Sequence, residues 1–356
     1  MPNKIKDDME HFFCSKPFDF LSVRTDGNAW VCCEDWLPVS IGNLSGGLTL
    51  EEVWNSDTAK SIRKSILDGS YKYCKENRCP FLVAKTLPEI SKEKVNHLMK
   101  YTSPVKSVRA PLPEKISLTY DPTCNLKCPS CRSDYIVLKK SGRSKAQDIQ
   151  DKIFTSTSSK DLKQIILTGY GDPFSSSVLR SFLKNIVPEE FPSLRINLMT
   201  NGLLLTPRMW ESISSSHSLI KNIHVSIDAC SHETYLQNRG GDFSKLLENL
   251  EFIGSLRKKN TLARFEISFV VQENNFTEMP DFVRLGRRLK CDEVLFQKIF
   301  NWGTYEDTDF KKHAIHKSTH ERHNDLVRVL NSEILADSIV NLSNLTDLKT
   351  STNFTL

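Results

Sequence analysis

The sequence predicts an α/β protein, a partial (β/α)6 barrel preceded by a small α+β module. Three observations lead there. From Lys115 onward, short apolar runs alternate with amphipathic helical patterns, which implies parallel strands joined by helical crossovers. Glycine, asparagine and acidic residues follow directly on those runs, where parallel α/β folds bind ligands. Eight of the ten cysteines fall into two groups, one before residue 80 and one at 124–131. In a chain with a polar start they read as metal ligands rather than disulfides.

The 48 basic residues are nearly balanced by 43 acidic ones, giving a net charge of +5. That mild excess neither demands an anionic partner nor closes the question, so nucleic acid stays open as a partner. No apolar run is long enough to span a bilayer, and Met1–Glu10 is polar rather than signal-like. A cytoplasmic protein without a membrane partner is therefore expected. The expected organisation is a cysteine-bearing module over 1–100, a linker over 101–114, the barrel over 115–305 and a helical tail over 306–356 whose end is disordered.

In the first module, Phe18–Val23 and Trp30–Cys32 flank the turn Asp26-Gly27-Asn28 and predict a β-hairpin. Such a hairpin lets Cys14 and Cys32 approach each other. Thr49 followed by Glu52 predicts a capping box, and a second helix is expected from Ala59 to Leu67, stopping at Asp68-Gly69. Cys74 and Cys79 come just after. Cys14, Cys32, Cys74 and Cys79 form a candidate four-thiolate site, which alone fits either an iron–sulfur cluster or a zinc ribbon. Cys33 is left out, because neighbours on a strand face opposite sides. A charged helix near Lys92–Lys100 and Pro104, Pro111 and Pro113 then lead into the barrel.

Six strands are expected, at Ile116–Tyr120, Gln164–Thr168, Arg195–Met199, Ile223–Ile227, Phe265–Val271 and Glu293–Phe296. Helices are expected at Val178–Ile186, Pro207–Ser216, Phe243–Leu256 and Met279–Leu289. After the first strand comes Cys124-x-x-x-Cys128-x-x-Cys131. Three soft thiolates on one short loop suit a 4Fe–4S cluster with one iron left open, or a zinc ion with a fourth ligand from elsewhere. After the second strand, Gly169-Tyr170-Gly171-Asp172 offers small residues for close backbone approach and an anion for an ammonium group. Asn201, Ser226, Asp228 and Arg239 follow the third and fourth strands, and Gln272 and Asn274 the fifth. His313, His316, His320 and His323 would share one face of a helix, read as solvated or barrel-capping rather than metal-binding.

The CxxxCxxC loop after a strand, with these strand-end residues behind it, resembles the radical S-adenosylmethionine (radical SAM) enzymes. Cys14-x12-Gly27-x4-Cys32, Ile41-Gly42-Asn43-Leu44 and Leu50–Trp54 resemble the SPASM/twitch modules that hold auxiliary clusters in that family. The resemblance implies a 4Fe–4S cluster on Cys124, Cys128 and Cys131, with S-adenosylmethionine on its open iron. It implies a second, auxiliary 4Fe–4S cluster on Cys14, Cys32, Cys74 and Cys79. Gly169, Tyr170, Gly171 and Asp172 then match the glycine-rich motif that holds the methionine amine. Ser226 and Arg239 match the group for its carboxylate, and Asn201 and Asp228 become candidates for the ribose. The family's aromatic before the third cysteine is replaced by Ser130, so adenine packing is expected from Tyr170 or Phe174. The implied activity is reductive cleavage of S-adenosylmethionine to a 5′-deoxyadenosyl radical, which abstracts hydrogen from a peptide or protein side chain. A nucleotide, nucleic-acid base, sugar or other small molecule is the alternative substrate. An external donor such as flavodoxin or ferredoxin is the implied electron partner. A non-catalytic iron–sulfur or zinc protein is the alternative of a different class.

Overall fold

The computed structural model describes residues 12–105, 107–155, 159–168 and 170–349. The chain divides into two compact units, each made of separate stretches of sequence. The first comprises 1–122, 138–170 and 187–195, and the second 123–137, 171–186 and 196–356.

The first unit is built on the hairpin β1 (Phe20–Arg24) and β2 (Asn28–Trp30), with β3 (Gly42–Asn43) antiparallel to β2. Its turn forms because Asp26 accepts the Asn28 amide hydrogen and Gly27 adopts φ +86°, a conformation that costs glycine nothing. The strands β4 (Lys115–Thr119) and β5 (Gln164–Leu167) lie parallel, and β1 pairs parallel with β4, Phe20 opposite Lys115. The cysteine hairpin thus continues the sheet of the first two barrel strands. The capping box at Thr49 is present in both halves, and the helix Asp57–Leu67 matches expectation. On that helix Arg63 is fully buried, donating to the carbonyls of Pro17 and Trp54 and lying on the Trp54 ring. A helix at Lys140–Phe154, which the sequence reading lacks, connects β4 to β5. Its Lys- and Ser-rich sequence buries few apolar residues, among them Ile149 and Ile153, so its periodic signal is weak.

The second unit carries β6 (Arg195–Thr200), β7 (Ile220–Ser226), β8 (Arg264–Val271), β9 (Glu293–Lys298) and β10 (Val340–Asn341), adjacent in that order and all parallel. Helices Phe243–Lys258 and Met279–Leu289 bury apolar faces, and Phe269, Phe282 and Phe296 pack edge to face between sheet and helix. The strand–helix alternation of a partial (β/α)6 barrel is therefore present along the chain, from β4 to β9. Three expectations are corrected. The polar helix His232–Arg239 was not foreseen. The tail expected to be helical over 306–356 carries only the short α-helices Asp307–His313 and His323–Leu330 among the described residues. Residues 340–349 do not fray: β10 pairs with β9, and Leu342 and Leu345 are buried. Residues 350–356 lie outside the described residues. Among the described residues no helix is long and apolar enough to cross a membrane.

Candidate cluster sites

The loop after β4 belongs to the second unit from Thr123 onward. Cys124 and Cys128 are buried and Cys131 is exposed, so two thiols face protein and the third faces outward. Leu126 packs against Leu203 and anchors the loop. This packing needs Gly241, where a Cβ would come 2.7 Å from Leu203 and 3.3 Å from Leu126. The buried sulfurs meet nitrogen donors. Asn201 Nδ2 lies 3.7 Å from Cys124 Sγ and donates to Asn125 Oδ1 at 2.9 Å. Arg239 Nη1 lies 3.8 Å from Cys128 Sγ, and Arg132 Nη2 lies 3.6 Å from Cys131 Sγ. Burial raises the thiols of Cys124 and Cys128, while Arg239 pulls Cys128 back. A bound metal reverses that balance, because a coordinating thiol is deprotonated.

Arg239 ends the helix His232–Arg239, which stops where Gly240 turns left-handed at φ +74°. Its Nη2 donates to Asp228 Oδ2 at 2.7 Å. Asp228 is 2% exposed, sits at φ +63°, and also takes the Val270 amide hydrogen on Oδ1 at 2.7 Å. Burial lowers the Arg239 guanidinium, but Asp228 and Cys128 raise it further, so it stays cationic. The sequence-predicted residues thus fall into two groups, Cys128 with Arg239 and Asp228, and Cys124 with Asn201 and Asp172. Asp172 is fully buried and accepts from Thr200 Oγ1 at 2.6 Å, Asn201 N at 2.9 Å and Phe174 N at 3.0 Å. Its oxygens tie the segment after Gly171 to the end of β6. Ser226 stands apart from both groups, its Oγ 3.3 Å from Ser268 Oγ on β8. Tyr170 lies in the first unit with the Arg24 guanidinium 4.8 Å over its ring, and Gly169 lies outside the described residues.

Beside the loop lies a cavity of about 170 Å³ lined by Ser130, Gln237, Asn238, Gln272, Asn274, Tyr305 and others. Gln272 and Asn274 are where the strand-end reading put them. Asn238 and Tyr305 were missed. Asn238 sits on the unforeseen polar helix, whose inward face is Thr234, Tyr235 and Asn238 and so has no hydrophobic period. The usable signals were Ser231 as N-cap and Gly240 as terminator. Of the histidine group only His313 lines this cavity. The group does not share a helix, since His313 ends Asp307–His313 and His323 starts the next. Arg239 Nε, Tyr235 Oη and Asn274 Oδ1 are buried without a hydrogen-bond partner among the described residues, and of these three residues Asn274 lines the cavity. Unpartnered buried polar groups are costly, so a polar ligand fits this place.

In the first unit Cys14, Cys32, Cys74 and Cys79 line one apolar pocket with Trp36, Leu37, Ile66 and Tyr71. Cys33 is outside it. Burial pushes the Cys32 and Cys74 thiols up to about 12, each raised further by other sulfurs of the set. The Lys16 ammonium, 5.0 Å over the Trp36 ring, opposes that rise at Cys14 and Cys32. Among the described residues no three His, Cys, Asp or Glu side chains are drawn onto one point as ligands of a single metal ion. Four soft donors around an apolar pocket suit an iron–sulfur cluster.

Two family models match the regions that hold these cysteines. The model of the radical SAM superfamily matches residues 119–285, and that of SPASM, an iron–sulfur cluster-binding domain, matches residues 14–80. A probable GTP 3′,8-cyclase of Methanococcus vannielii is 25% identical over 50% of this chain and 58% of that protein. An AdoMet-dependent heme synthase of Methanosarcina barkeri is 27% identical over 47% of this chain and 45% of that protein. The chain therefore spans about half the length of these curated relatives. Streptococcus suis SuiB bound to S-adenosylmethionine superposes with a TM-score of 0.47 at 16% identity, over 82% of this chain and 64% of SuiB. The two matched domains bring a 4Fe–4S cluster with S-adenosylmethionine and a further iron–sulfur cluster. With its CxxxCxxC loop after β4 and a four-cysteine pocket ahead of it, the chain carries a radical SAM domain over residues 119–285 and a SPASM-type domain over residues 14–80.

Proposed function

We propose that this protein is a radical SAM enzyme that removes a hydrogen atom from a peptide or protein side chain. The observation that carries the reading is the loop of Cys124, Cys128 and Cys131, with Asn201 and Arg239 donors on its two buried sulfurs. When bound, the cluster and S-adenosylmethionine supply a 5′-deoxyadenosyl radical. Cys124, Cys128 and Cys131 hold the cluster, and the Asn201 and Arg239 N–H groups offset thiolate charge in a poorly solvated place. Asp228 fixes the direction of the Arg239 guanidinium, leaving Nε for the methionine carboxylate. Asp172 acts from behind, fixing Thr200 and Asn201, with Gly171 beside it. Gln272 and Asn274 face the adenosine. Cys14, Cys32, Cys74 and Cys79 hold an auxiliary 4Fe–4S cluster that assists electron transfer, and flavodoxin or ferredoxin supplies the electron.

The pairing of a radical SAM domain with a SPASM-type domain supports a peptide substrate by resemblance. The match to a protein named as a GTP 3′,8-cyclase supports the second reading, a nucleotide or related small molecule. The absence of a membrane-spanning helix among the described residues is compatible with action in the cytoplasm. The test is anaerobic loading with iron and sulfide, then reduction in the presence of S-adenosylmethionine with candidate peptides or nucleotides. 5′-Deoxyadenosine should form, rise with the true substrate class, and vanish in Cys128→Ala. If none forms from protein containing both clusters, the non-catalytic reading replaces this one.

A further inference from the structure

The cluster loop has Ser130 before its third cysteine, so it offers no ring to a base. Phe174, one expected substitute, is fully buried and is not among the residues lining the cavity beside Ser130, and the ring of Tyr170, the other, lies under the Arg24 guanidinium. Two other rings do line it, Tyr305 and His313. They lie against each other with centroids 4.7 Å apart and planes 38° apart. Both are held in place. Asn301 Nδ2 donates to the Tyr305 carbonyl at 2.8 Å, and the His313 carbonyl accepts from Glu273 N, just past β8, at 3.2 Å. Burial lowers the His313 imidazolium, so the ring is neutral at neutral pH.

The rest of the lining is amide. Asn274 Nδ2 is committed to Asn238 Oδ1 at 2.8 Å, which orients its side chain. The buried Asn274 Oδ1 has no hydrogen-bond partner among the described residues. At about 170 Å³ the space is smaller than sites that enclose whole drug-sized ligands, so it takes one ring system. Flat rings on one wall and an unfilled acceptor at its edge describe a purine with an exocyclic amine.

We propose that Tyr305, backed by His313, supplies the aromatic wall for the adenine of S-adenosylmethionine that the cluster loop lacks at Ser130, with Asn274 Oδ1 accepting from the adenine amino group. This rests on the radical SAM reading, and the experiment separates the two. Binding of S-adenosylmethionine to cluster-loaded full-length protein is measured by equilibrium dialysis without reductant, on samples matched for iron. Tyr305→Leu keeps the bulk of the side chain and should weaken binding about tenfold, the order of one base stacked on one ring. Tyr305→Phe should bind as wild type. Asn274→Asp keeps the acceptor, whereas Asn274→Leu should weaken binding severalfold. Methionine alone should perturb the EPR signal of the reduced cluster equally in wild type and Tyr305→Leu. Unchanged affinity in Tyr305→Leu overturns the inference and leaves the radical SAM reading intact. Failure of the loaded wild type to bind S-adenosylmethionine overturns both.

Discussion

Replacing Asp228 by asparagine removes one charge and little else. Asparagine keeps an oxygen for the Val270 amide and tolerates the φ of +63° at this position. What is lost is the carboxylate 2.7 Å from Arg239 Nη2. The side chains are 2% and 13% exposed, so the guanidinium cannot recover its hydration in place. Breaking a buried pair from one side costs about 3–5 kcal/mol, most of it the stranded charge. The slight exposure of Arg239 and its proximity to Cys128 Sγ favour the lower end, about 3 kcal/mol. For a unit of this size that lowers Tm by roughly 6–12 °C. The assay is anaerobic urea unfolding of cluster-loaded protein followed by tryptophan fluorescence, run as a cycle with Arg239→Met and the double variant. Asp228→Asn should be destabilised more than the double variant, in which no charge is stranded. A loss below about 1 kcal/mol, or additive effects, would refute the argument that the pair is buried and coupled.

Three further outcomes follow. Cys74→Ala should lower iron from about eight to about four per chain, whereas Cys33→Ala should leave it unchanged; iron and sulfide analysis of anaerobic protein decides. Glu278 accepts from Cys230 N, Ser231 Oγ and Thr234 Oγ1 at the start of the helix that carries Arg239. Glu278→Gln should cost about 2 kcal/mol in urea unfolding, the scale of losing charged hydrogen bonds, and a loss near zero would show that the helix start is held otherwise. Burial brings His316 down to about 4. Its folded value lies below the unfolded one, so its contribution is present at neutral pH and lost as pH falls from about 6.5 toward 4. His316→Gln should flatten that part of the stability–pH curve, and an unaltered slope would refute the assignment.

The sequence by itself determined what depends on near neighbours. The hairpin at Asp26-Gly27, the capping box at Thr49 and the six barrel strands were readable because turn chemistry and periodicity act over a few residues. So was the association of Cys14, Cys32, Cys74 and Cys79, which line one pocket. The tertiary structure alone decided what needs distant partners. The parallel pairing of β1 with β4 joins segments about 95 residues apart, and nothing in either strand specifies the other. The helix His232–Arg239 turns polar residues inward, so burial there leaves no apolar stripe to detect. Arg239 and Asp228 were each legible as candidates for separate ligand contacts, but only the fold sets them 2.7 Å apart beside Cys128. Tyr305 likewise reached the Ser130 cavity through folding, because ring contacts are set by the positions of whole elements and not by local sequence.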